Sequence, residues 1–170
     1  AGIFTNFSQD HLDHHKTMKN YFCAKMILFK KLLKSKKHVI IDSKISQFAQ
    51  IKSICKKRKL KLVDINKKNF EFQFPNNIIG QFQIKNFLMA KYAAQLCGLK
   101  SEKIDRNIKY IKSVDGRLQL IRKFPNNVKV FIDYAHTPDA LLEVIKSIKN
   151  SYGKNISLVF GCGGERDFKK

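Results

Sequence analysis

At 170 residues, with 44% hydrophobic and 28% charged side chains, the chain has the make-up of a folded domain or parts of two, which excludes a disordered tail. No apolar run approaches the roughly 20 residues of a membrane helix, and the scattered Cys23, Cys55, Cys97 and Cys162 form no C-x-x-C pair. That spacing argues against a zinc site or a disulfide framework and for a reducing cytoplasm. The formal net charge of +21 has two readings, a polyanionic partner or compositional drift toward Lys, Asn, Ile and Phe, and the even spread of the lysines favours drift.

Ile3-Phe4-Thr5 reads as a short strand, followed by a polar loop rich in His and Asp. Phe22, Met26, Phe29 and Leu33 recur at helical spacing, predicting an amphipathic helix over residues 17–33. His38 to Asp42 is a compact apolar run and a buried strand. Ser43 is placed to cap a helix with Ile45, Phe48, Ile51, Ile54 and Cys55 on one face. Leu60 to Ile65 is another strand, and Phe70, Phe72 and Phe74 alternate with polar residues as a half-exposed strand ending at Pro75.

Gly80 precedes a helix from Ile84 to Leu96 that Gly98 closes, and Ser101 with Glu102 opens another to about Ile111. Asp115-Gly116 is a turn and the expected domain boundary. Beyond it come a strand from Arg117 to Lys123, a turn at Pro125-Asn126-Asn127 and an apolar strand from Val128 to Tyr134. Thr137-Pro138-Asp139 supplies a cap, an N1 proline and a first-turn acid for a helix to about Ser151. Ile156 to Phe160 reads as a strand running into Gly161-Cys162-Gly163-Gly164. Alternating strands and helices predict an α/β fold with a mainly parallel sheet.

Four places have the residue types for chemistry, each with a plain alternative. The loop from Thr5 to His15 holds three His and two Asp, competent for a divalent metal or phosphate, or simply solvated. Lys25 sits among apolar helical neighbours, where it either snorkels to water or is chemically special. Asp133 and His136 stand where a strand passes into a helix, a position that can bind ribose hydroxyls or be ordinary loop and packing. The Gly161–Gly164 turn exposes backbone N–H groups to an anion, with Arg166 close behind as a bidentate donor.

Together, Thr5-Asn6-Phe7-Ser8-Gln9-Asp10-His11-Leu12-Asp13-His14-His15, Tyr21-Phe22-Cys23-Ala24-Lys25, Asp133-Tyr134-Ala135-His136-Thr137-Pro138-Asp139-Ala140-Leu141 and Gly161-Cys162-Gly163-Gly164-Glu165-Arg166-Asp167 resemble the Mur ligases in order and spacing. The resemblance covers essentially the whole chain. It implies the later part of a central ATP-binding domain over 1–115 and the start of a Rossmann-like C-terminal, amino-acid-binding domain over 116–170. It is closest to the branch that adds the third residue, diaminopimelate in the commoner bacterial type, to UDP-MurNAc-L-Ala-D-Glu through an acyl phosphate. ATP and Mg²⁺ are the implied cofactors. The implied partners are the UDP-MurNAc-dipeptide and a free amino acid, with no nucleic acid or membrane, for a monomer when full length.

By the same resemblance His11 is a metal ligand, and Lys25 becomes a carbamate that serves a second Mg²⁺. Asn86 meets the adenine, Arg117 the ATP phosphates, Asp133 the ribose, with His136 near the nucleotide, and Arg166 holds the carboxylate of the incoming amino acid. His11, Lys25 and Arg117 form the implied catalytic set. Gln83 stands where the family usually has Asn, and Phe168 where a Lys-Gly-Lys-Arg run is usual. No G-x-x-x-x-G-K-[ST] phosphate loop occurs. The chain is therefore expected to be an internal piece with no ligase activity by itself. Cyanophycin or folylpolyglutamate synthetases are the alternative relatives. A basic nucleic-acid-binding module is the alternative class, and the phenylalanines at core-like positions argue against it.

Overall fold

A computed structural model describes residues 1–67, 74, 78–153 and 155–161. The described residues of Ala1–Glu71 and Lys85–Ile104 make one compact unit, and those of Phe72–Ile84 and Asp105–Lys170 make another.

In the first unit, strands β1 (Gly2–Phe4), β2 (His38–Ile41) and β3 (Lys61–Asp64) form a parallel sheet in the order β1-β2-β3. Gly2 pairs with Val39, and Ile41 with both Phe4 and Asp64. The middle strand is apolar without alternation because a parallel strand is covered on both faces; Val39, Ile40 and Ile41 are all fully buried. The connection from β1 to β2 carries the short α1 (Leu12–His15) and α2 (Met18–Ile27), and that from β2 to β3 carries α3 (Phe48–Lys57).

Thr17 caps α2 through its hydroxyl, which accepts the Asn20 N–H at 3.1 Å. The helix continues as a π-helical turn over Leu28–Leu32, closed by Leu33 N–H to Leu28 carbonyl at 2.8 Å. Met26, Phe29 and Leu33 of the expected stripe enter the core with Phe4, Val39, Ile41, Ile51, Cys55 and Leu60, while Phe22 packs at its margin. A side chain at Gly2 would meet the Phe29 ring at 3.0 Å, so the helix lies close against β1.

Helix α4 (Gln81–Leu96) begins in the second unit and ends in the first, and α5 (Ser101–Asn107) makes the return and closes as a 3₁₀ turn over Ile108–Tyr110. The second unit adds β4 (Gln119–Lys123), β5 (Lys129–Ile132) and α6 (Pro138–Tyr152). Ile79, Leu118 and Val144 form its core, with Phe82, Phe131, Ala135 and Ile148 against them. Thr137 caps α6, its hydroxyl accepting the Ala140 N–H at 3.3 Å, with Pro138 at the start of the helix as expected.

Several expectations need correction. Ser43 does not cap α3. Asp42 accepts the Lys44 N–H at 2.8 Å and turns the chain, so the helix starts only at Phe48. The His-rich loop contains a one-turn helix rather than loop alone. The sheet of the second unit is antiparallel, because a short turn at Pro125-Asn126-Asn127 joins β4 directly to β5, and a two-strand hairpin leaves Val130 and Ile132 part exposed. Ile156 to Phe160 is not a strand; among the described residues it joins no ladder, and Leu158, Val159 and Phe160 are exposed. The strand expected over Phe70, Phe72 and Phe74 and closed by Pro75 lies outside the described residues except for Phe74, which belongs to no element.

Candidate functional site

Beyond the carboxyl end of β1 the chain turns sharply at His11, whose φ of 56° is left-handed. Asp10 holds this turn: its carboxylate accepts the His11 N–H at 2.9 Å and lies 3.4 Å from the His11 Nε2. The ring of Tyr21, in the second turn of α2, then gathers the neighbours. His11 meets it edge-on at 5.7 Å, His15 stacks on it at 5.1 Å, Phe7 tilts against it at 5.2 Å, and the Lys25 Nζ stands 5.1 Å from its centroid.

Lys25 Nζ is also 5.6 Å from the Phe4 centroid, so its ammonium lies between two aromatic rings. The side chain lines a hollow of about 390 Å³ whose walls include Phe4, Thr5, Ala24, Leu28 and Phe29. Among the described residues no carboxylate pairs with Lys25; two π-faces take that place. Its stem lines the apolar hollow while the amine stands against the ring that His11 also meets. The structure thus brings His11 and Lys25 around one ring, which sequence spacing did not foresee. Tyr21 was legible only as part of a motif.

Among the described residues no group of three or more His, Cys, Asp or Glu gathers to hold a metal. Mg²⁺ takes few protein ligands and completes its shell with water and phosphate oxygens. The His11 imidazole and its neighbour Asp10 could supply part of such a shell, whereas the Lys25 ammonium could not; Lys25 would take part only as a carbamate.

A second polar cluster in the same unit closes the ends of β2 and β3. Asp42, 2% exposed, accepts Lys85 Nζ at 2.7 Å and Asn66 Nδ2 at 2.6 Å. Asp64 accepts the backbone N–H groups of Ser43 and Asn66, each at 3.1 Å. Burial pushes the Asp42 carboxyl up, but Lys85, the Lys44 N–H and Asn66 more than offset this and hold it below its ordinary value. Asp64 is likewise held low against burial, by Asn66 and Ser43. Burial, and then the Asp64 charge, raise Tyr92. Sequence reasoning missed this cluster; its signal was an acid ending each of two apolar runs, Val39-Ile40-Ile41-Asp42 and Leu62-Val63-Asp64. Asn86, next to Lys85, lies on the exposed side of α4.

In the second unit, Arg117 and His136 come together on the Tyr134 ring, with Asp133 preceding it in the chain. The Gly116 carbonyl accepts the Tyr134 N–H at 2.9 Å, and the Leu118 N–H reaches Asp133 Oδ2 at 2.7 Å, wrapping residues 116–118 over the end of β5. Leu118 sits fully buried at a left-handed φ of 44°, which delays β4 by two residues from its expected start. Asp133 Oδ1 accepts the Ala135 N–H at 2.7 Å. The Arg117 guanidinium stacks 4.9 Å over Tyr134, and His136 meets the same ring at 5.1 Å with Nδ1 3.0 Å from the Tyr134 carbonyl. Gln83 donates from Nε2 to the Ile79 carbonyl at 2.9 Å. Arg166 and the loop beyond Gly161 lie outside the described residues.

Comparison with known proteins bears on both units. The profile of the Mur ligase middle domain matches residues 1–73, and that of the Mur ligase glutamate ligase domain matches 116–170. The chain belongs to the Mur ligase family. Among this family's curated members, the UDP-N-acetylmuramoyl-L-alanyl-D-glutamate--2,6-diaminopimelate ligase of Rickettsia bellii is 35% identical over 100% of the chain and 40% of its own length. A Clostridium acetobutylicum enzyme of the same name is 36% identical over 99% of the chain. The chain spans about 39% of the length of such relatives. Among solved structures, MurF from Acinetobacter baumannii is similar with a TM-score of 0.70 at 16% identity, covering 90% of this chain and 37% of that one. A point mutant of L. casei FPGS follows at 0.67 and 16%, covering 91% and 43%. At such identities these two speak for the Mur ligase α/β fold alone.

Proposed function

We propose that this chain works within an ATP-dependent ligase that joins diaminopimelate to UDP-MurNAc-L-Ala-D-Glu, in the cytoplasm and as a monomer. Residues 1–115 belong to its ATP-binding domain and 116–170 to its amino-acid-binding domain. The ATP γ-phosphoryl group passes to the dipeptide carboxylate, giving an acyl phosphate and ADP. The amine of the incoming amino acid attacks the acyl carbon, phosphate leaves, and the nitrogen loses a proton.

The observation that carries this reading is the placement of Lys25 and His11 against one ring, Tyr21, beyond the end of β1. The Lys25 ammonium gives up one proton, and its neutral Nζ then attacks CO₂ and releases a second, so that a cation is replaced by a carbamate anion. With His11, that carbamate would hold Mg²⁺, which when bound offsets charge on the phosphoryl group in transfer. Asn86 takes the adenine. Asp133 takes ribose hydroxyls on the oxygen lone pairs that Leu118 and Ala135 leave open. Arg117, held by Tyr134 with His136 at the same ring, takes the phosphates, and Arg166 takes the amino-acid carboxylate.

In an intact ligase containing this chain, Lys25→Ala should lower tripeptide formation on the order of 10²-fold or more. It should also abolish the carbamate signal in ¹³C NMR after labelling with ¹³C-bicarbonate. Unchanged turnover with ATP, the dipeptide substrate and diaminopimelate would sink the assignment.

A further inference from the structure

Helix α4 presents Lys85, Leu88, Met89 and Tyr92 on one face, at the i, i+3, i+4 and i+7 spacing of a single stripe. The last three are buried, and Lys85 is the polar head of the stripe. Its amine reaches the carboxylate of Asp42, just beyond the end of β2, at 2.7 Å. Asp42 is itself fixed, by the Lys44 N–H at 2.8 Å and by Asn66, which also bonds Asp64 at 3.2 Å. The acceptor is therefore a rigid point on the sheet, and the tie to it acts near the start of the helix. Asn86 is the next residue along, about 100° further round the helix axis, on the exposed side.

A helix turns as a body. The burial of Leu88, Met89 and Tyr92 stabilises the helix but is non-directional and tolerates small rotations. A charge-assisted hydrogen bond of 2.7 Å onto a buried carboxylate is directional and narrows that range, within the reach of the lysine stem. We propose that Asp42 and Lys85 are positioning residues for nucleotide-base recognition: their ion pair sets the rotation of the first turns of α4 and so aims Asn86 at the base. This rests on the reading of Asn86 as the adenine contact. Neither Asp42 nor Lys85 touches the nucleotide; both act through Asn86.

The test is base discrimination, which a merely structural pair would leave unchanged. Equilibrium binding of ADP and GDP is measured on an intact ligase containing this chain, with thermal melting alongside. Asn86→Ala should reduce the ADP-over-GDP preference by about tenfold, on the order of one hydrogen bond. Lys85→Met, which keeps the stem and removes the charge, should reduce it by a similar factor. Asp42→Asn, which keeps the shape, should lose part of it, and Lys85→Arg should retain most of it. Lys85→Met and Asp42→Asn that lower the melting temperature while the base preference holds would overturn the positioning role, provided Asn86→Ala has reduced that preference. A preference untouched by Asn86→Ala would instead remove the Asn86 reading on which the inference stands.

Discussion

Replacing Gly80 with Ala should destabilise the second unit by about 1–4 kcal/mol. Gly80 has a φ of +91°, where an L side chain costs about 1–2 kcal/mol. An added Cβ would lie 2.5 Å from the Ser147 Oγ and 2.9 Å from its Cβ, inside any real contact. Ser147 cannot easily yield, because it is buried and its hydroxyl donates to the Glu143 carbonyl at 2.7 Å. Relieving such an overlap by backbone shift costs about another 1–3 kcal/mol. The reduced freedom of the unfolded chain returns roughly 0.4–1 kcal/mol. The assay is urea unfolding followed by far-ultraviolet circular dichroism, since the chain has no Trp. With a slope of about 2 kcal/mol per molar urea, the midpoint should fall by about 0.5–2 M. Adding Ser147→Ala removes the nearest clashing atom, so the two substitutions should couple favourably. An unmoved midpoint for Gly80→Ala would refute the whole argument; strict additivity in the double variant would refute its steric half.

Other changes test the remaining supports. Asp42 and Asp64 have folded values held below the ordinary 3.8, so the stability they contribute is present above that value and is lost as pH falls through the lowered ones. Urea midpoints of the first unit should therefore drop below about pH 4, and Asp42→Asn should flatten part of the drop; a wild-type profile that is flat in acid contradicts this. Thr137→Ala removes the α6 cap and should cost about 1 kcal/mol, with Thr137→Ser nearly neutral, as read from the same midpoints. Phe29→Ala, at a fully buried ring against Phe4 and Gly2, should cost about 3–5 kcal/mol and lower the melting temperature accordingly.

Some elements were legible because their signals are local. The stripe of Met26, Phe29 and Leu33 and the cap-and-proline start at Thr137-Pro138 follow from backbone geometry and survive in any packing. The run Val39-Ile40-Ile41 announced a central strand because only a strand covered on both faces drops alternation. Ser43 misled because Asp42 competes for the same turn, a contest settled by a partner more than twenty residues away in Asp64. Ile156 to Phe160 misled because apolarity marks a strand only where another ladder receives it.

The candidate site divides in the same way. Residue types and spacing drew attention to the His-rich loop, Lys25, Asp133 and His136, since chemistry-bearing side chains in an apolar or turn setting are visible in one dimension; the family resemblance chose His11 within that loop. Only the tertiary structure decided that Tyr21 gathers His11 and Lys25, that Tyr134 gathers Arg117 and His136, and that Asp42 holds Lys85. Each of these is a contact between segments distant in sequence or a choice of side-chain direction, made by parallel pairing of β1, β2 and β3 and by the wrap of residues 116–118. Such contacts leave no periodic trace, because what creates them is which elements meet and not what either element is.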